Sequence, residues 1–209
     1  MNEHRALTAA ILAAVLAASA AACSTPTDAG NEATPAASAA VSDTETAADI
    51  VFAQSMIPHH QQAIEMADFA LDPQAKASPE VRELATAIKG AQDPEIEQMT
   101  TWLEQWGAPT AMPGAGEDMA SMDHGGHDMA GMTMSGMMAA EDMARLSQAE
   151  GTEFDSMWLQ MMIAHHEGAV LMAEQVKAQP GNPKVTTLAD QIIAAQKKEI
   201  DTMKELLAP

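Results

Sequence analysis

Residues 49–60 recur at residues 155–166. Asp49-Ile-Val-Phe-Ala-Gln-Ser-Met-Ile-Pro-His-His lies over Asp155-Ser-Met-Trp-Leu-Gln-Met-Met-Ile-Ala-His-His at an offset of 106, and Ala63, Met66 and Ala67 continue onto Ala169, Met172 and Ala173. Further along, Val81, Leu84, Ala85, Ile88, Gln92, Glu95, Ile96, Met99 and Leu103 fall on Val185, Leu188, Ala189, Ile192, Gln196, Glu199, Ile200, Met203 and Leu207 at an offset of 104. The two-residue change falls in Pro-containing turns, Asp72-Pro73 to Pro79 and Pro180 to Pro183, where length is free to vary. A chain built this way must fold as two copies of one unit that bury their apolar faces together.

That unit reads as two helices. Positions 52, 56, 59, 60, 63, 66 and 67 recur at steps of three and four, which is one helical face. Ser78-Pro79 supplies a cap and a first-turn proline for a second helix that Gly107 ends, and Asn182-Pro183 opens the last helix in the same way. No stretch alternates with period two. The expected architecture is all-α: an antiparallel four-helix bundle of two pseudo-twofold hairpins, at 47–106 and 141–209. Pro58 should kink the first helix or free a carbonyl in it.

The rest of the chain is unlike packed domain. Residues 1–22 read as a cleaved secretory signal, too short in its apolar run to span a bilayer. Ala20-Ala21-Ala22-Cys23 is similar to a lipobox, making Cys23 the lipidation site and a lipid anchor the expected link to a membrane, with residues 23–46 as a flexible tether. As the sole cysteine it cannot form an internal disulfide, so packing must hold the fold. The formal charge of −20 is unchanged by removing 1–22, which carries one acid (Glu3) and one base (Arg5). Such a surface repels nucleic acid and attracts cations. Between the hairpins, residues 107–140 form a linker. Nine of the chain's 18 methionines lie from Met112 to Met143, together with His124 and His127. Met122, Met129, Met132 and Met134 are separated by glycines and polar residues, so most of this run cannot form a helical core stripe. A spacer of biased composition is the plain alternative to a labile soft-metal tract. Its removal, 112–138, is expected to leave stability nearly unchanged.

The chemistry sits on the repeated face. Asp49, Met56 and His60 fall within about 40 degrees of one another on an ideal helix, as do Asp155, Met162 and His166. His59 and His165 lie on the adjoining flank, near Met66 and Met172. Met99 and Met203 can approach from the partner helices. Polar groups on a buried face cost free energy unless paired or bound to metal. One account is therefore satisfied core histidines, with aspartate as partner and methionine as filler; the other is a metal site. Thioethers favour Cu(I), and imidazole accepts either copper oxidation state. Zinc sites prefer Cys, His and carboxylate, and the sole cysteine, Cys23, is assigned to the anchor. A carboxylate-bridged di-iron site would want Glu-x-x-His, whereas Gln61-Gln62 and Glu167-Gly168 follow the two pairs.

The paired M-x-x-H-H-x-x-A-x-x-M-A segments, with Met137-Met138 and Glu167-Gly168-Ala169, resemble the bacterial family of domain of unknown function 305 across about residues 47–208. The resemblance implies a ferritin-like bundle and a copper-binding role of the kind associated with its CopM-type extracytoplasmic members. It points to a secreted or periplasmic copper buffer or metallochaperone that is not an enzyme, with a copper-exporting or copper-accepting protein as a candidate partner. A ferritin-like dinuclear redox enzyme and a metal-free structural surface lipoprotein are the competing expectations.

Overall fold

Three of the α-helices begin where a side chain caps backbone N–H groups that have no partner in the preceding turn. In α1 (Ala47–Leu71), Thr46 and Asp49 form a reciprocal capping box. Ser78 caps α2 (Pro79–Gln105) and Asn182 caps α5 (Pro183–Leu207), each with proline in the first turn as the sequence predicts. Gly107, at φ 65°, ends α2: its own N–H reaches Glu104 O, and Ala108 N–H reaches back to Leu103 O at 2.9 Å. Between α2 and α5 lie a short α3 (Ala140–Leu146) and α4 (Gly151–Lys177). The computed structural model describes residues 44–112 and 135–208, and there is no strand among them. None of these helices is long and apolar enough to cross a membrane.

The antiparallel four-helix bundle expected from the duplication is the observed fold. Helix α1 packs on α2, α4 on α5, and the hairpins meet chiefly through α1 against α4. The two His-bearing helices therefore face each other. The predicted face of α1 is buried throughout: Phe52, Met56, His59, His60, Ala63, Met66 and Ala67 are each at most 5% exposed. Helix α1 runs on through Pro58, whose ring lies at the surface. The missing N–H leaves the Gln54 carbonyl without its helical donor and does not end the helix. Pro94 lies inside α2 in the same way.

Two features depart from the sequence reading. Helix α3 starts within the span assigned to the linker, and it is held by Met143 and Leu146, which pack into the core beside Met66 and Trp158. The two aspartates do not join the histidines. Asp49 is 1% exposed and accepts from Thr46 N–H, from Thr46 Oγ1 and, across the hairpin interface, from Asn182 N–H at 3.0 Å. Asp155 accepts from Ser78 N–H at 3.1 Å. Each carboxylate thus clasps the start of the other hairpin's second helix. The sequence pattern places them on the right face, but at its end, where backbone N–H groups are the available partners. Asp49→Ala should cost about 1–3 kcal/mol in chemical denaturation, since it removes both a cap and a clasp between hairpins. A change under about 0.5 kcal/mol would mean water replaces both.

Candidate metal centre

At the centre of the α1–α4 contact the rings of His59 and His165 lie 3.8 Å apart, centroid to centroid, tilted by 38°. His59 and His165 are 1% exposed, and His60 and His166 fully buried. The outer pair is held identically in both repeats: His60 Nε2 lies 2.8 Å from Glu95 Oε2, and His166 Nε2 lies 2.8 Å from Glu199 Oε2. These glutamates, and not Asp49 and Asp155, are the carboxylate partners of the histidines. Their signal was present in the sequence. Glu95 falls on Glu199 in the duplication, at helical spacing between Gln92 and Met99 on the inner face.

The inner pair differs between repeats. His59 Nε2 donates to the Ser135 carbonyl at 3.0 Å. Neither ring nitrogen of His165 makes a hydrogen bond of ordinary geometry, with only the His59 backbone within weak reach. Nδ1 of His59, His60 and His166 is likewise buried without a partner. Burial, then the neighbouring His60, lowers the His59 pKa from the ordinary 6.5 to about 3, against the opposing bond from Ser135. Burial, followed by His59 and the other two rings, pushes His165 well below its ordinary value. Both are neutral at physiological pH, which is the form that ligates metal.

The buried methionines of the four long helices fall in two sets. Met56, Met99 and Met172 belong to one buried cluster, and Met66, Met162 and Met203 to the other. The duplication maps each set onto the other. Each contains a thioether from both hairpins, so Met66 groups with Met162 and Met203, and not with its own repeat's Met56. Among the described residues, no group of three or more His, Cys, Asp and Glu could hold a metal ion. Imidazole combined with thioether is a soft donor set that fits copper in its lower oxidation state.

The linker ends are fastened to α1. Gln54 Nε2 donates to Pro109 O at 2.7 Å. Gln62 makes a two-way clamp on Met138, donating to its carbonyl at 2.9 Å and accepting from its N–H at 2.7 Å. Ser135–Met138 is thereby seated over the His cluster. Deletion of 112–138, expected to leave stability nearly unchanged, would remove these bonds of Ser135 and Met138 to α1. Cys23, Met122, His124, His127, Met129, Met132 and Met134 lie outside the described residues.

The model of the family called domain of unknown function, DUF305, matches residues 49–207. The chain belongs to the DUF305 family. A DUF305 protein of Streptomyces coelicolor that is named as secreted is 32% identical, with a TM-score of 0.65, covering 77% of this chain and 91% of that one. A DUF305 fragment from Deinococcus radiodurans is 31% identical, with a TM-score of 0.64, covering 78% and 97%. CopM in its Cu(II)-bound form is 36% identical, with a TM-score of 0.58, covering 76% and 95%. CopM is also known in a Cu(I)-bound form, which is 32% identical with a TM-score of 0.54. Among curated proteins none matches.

Proposed function

We propose that this DUF305 protein is an extracytoplasmic copper-binding protein that holds and passes on Cu(I), and does not turn over a substrate. One observation carries the reading. Four buried histidines meet at the bundle centre with unpartnered ring nitrogens, and two mixed-repeat methionine sets flank them. Leaving that many buried polar atoms unsatisfied costs stability in the metal-free state, and a bound ion recovers it. The likeness to copper-bound CopM supports copper as the ion. The Met/His composition of the linker supports capture of Cu(I) there before transfer inward, and the signal and lipobox-like sequences support a lipid-anchored location outside the cytoplasm.

Metal that binds only the folded state should raise stability, by about 2.7 kcal/mol when free metal is 100 times the dissociation constant. Anaerobic Cu(I) titration followed by thermal melting should show this for the wild type. His59→Leu combined with His165→Leu should abolish the shift while the variant stays folded by circular dichroism. A wild type with no metal-dependent shift, or a variant that keeps the whole of it, rules the reading out.

A further inference from the structure

The two His–Glu bonds have a consequence for which atom of each ring binds metal. A carboxylate only accepts hydrogen bonds, so the 2.8 Å contacts from Glu95 and Glu199 require Nε2 of His60 and His166 to carry the proton. The lone pair of the neutral ring then lies on Nδ1, and in both residues Nδ1 is buried and has no hydrogen bond. His59 follows the same rule with a backbone acceptor, because the Ser135 carbonyl also only accepts. We infer that Glu95 and Glu199 are positioning residues that commit His60 and His166 to bind metal through Nδ1.

This inference rests on the metal-binding reading above and adds the ligating atom and the groups that select it. A ligating imidazole needs one nitrogen free and the other anchored, since the anchor sets both tautomer and ring orientation and raises ligand basicity. The glutamates supply that anchor from α2 and α5, the helices that bear no histidine. They are only 17% and 18% exposed, sheltered enough to hold one geometry. That the same pairing recurs across the pseudo-twofold, between residues otherwise free to diverge, argues that it does more than fill space. A packing role would be met equally by a glutamine. A glutamine side chain can also turn its amide to donate, and so allow the opposite tautomer.

The test uses the full-length protein in two arms. In the metal-free wild type labelled with nitrogen-15 at histidine, long-range proton–nitrogen correlations should find the proton on Nε2 of His60 and His166. A proton on Nδ1 of either overturns the inference, whatever the variants do. In the second arm, silver(I), which needs no reductant, is titrated into wild type, Glu95→Gln and Glu199→Gln, singly and together. Each substitution should weaken binding about 10- to 100-fold with metal-free helicity retained. Wild type that binds silver while both variants bind equally well removes the positioning role alone. Wild type that takes up no silver or copper removes the metal-binding reading and this inference with it. Should the double variant unfold, the single variants and the first arm still decide.

Discussion

Moving the metal-free protein from pH 7 to pH 5 should cost it about 2 kcal/mol through His59 alone, at about 1.4 kcal/mol per pH unit below the unfolded pKa. His59 titrates near 6.5 when unfolded and at about 3 when folded. Between those values the unfolded chain takes up a proton that the folded chain refuses. The contribution is whole above pH 6.5 and is lost progressively as pH falls toward about 3. His165 is displaced in the same direction and adds to the loss. The acidic surface works against this effect, because protonating carboxylates on a chain of charge −20 relieves repulsion. The comparison that isolates the histidines is therefore between wild type and His59→Leu combined with His165→Leu, unfolded by denaturant at both pH values. Wild type should lose clearly more stability than the variant. Equal losses would mean that the inner rings are hydrated in solution and not desolvated as the structure has them.

Much of this centre was legible in the sequence because the duplication displays each inward position twice. The burial of Met56, His59, His60, Met66 and their repeats follows from spacing alone, since a 3.6-residue period leaves one face to pack. Spacing could not assign partners. Asp49 shares the face of His60 but sits three turns away along the axis, so it finds the N–H of Asn182 while His60 finds Glu95. Nor could a single-helix pattern foresee that the methionine sets would mix repeats, since that depends on α1 crossing α4. Helix α3 escaped because two apolar residues, Met143 and Leu146, are too few to establish a period. The asymmetry of the inner histidines was hidden for another reason. Where the repeats are superposed, Gln62 falls on Gly168, and a mismatch in a duplication is easily taken for drift.

That mismatch is instead the seat of the Ser135–Met138 segment, and Gly168→Ala should unseat it. A Cβ at Gly168 would lie 2.1 Å from the Ser135 carbonyl oxygen, 2.6 Å from its carbon and 2.8 Å from Gly136 Cα. All three are backbone atoms, so no rotamer change relieves the clash. Gly136 is itself at φ 78°, with space for no side chain against Ala164 and His165 carbonyls. The segment must lift, taking with it the Gln62 clamp on Met138 and the Ser135 bond to His59. Overpacking of this kind costs about 1–3 kcal/mol. The same exchange at Gly90, inside α2 with nothing within 4 Å of the added carbon, should instead raise stability by about 0.5–1 kcal/mol, because alanine restricts the unfolded chain and favours helix. Amide hydrogen exchange locates the effect. Protection of the Met138 N–H, bonded at 2.7 Å to Gln62 Oε1, should fall sharply in Gly168→Ala and remain in Gly90→Ala. If Met138 stays protected in Gly168→Ala, the segment is held by something other than the close approach at Gly168, and the difference between the two inner histidines needs another cause.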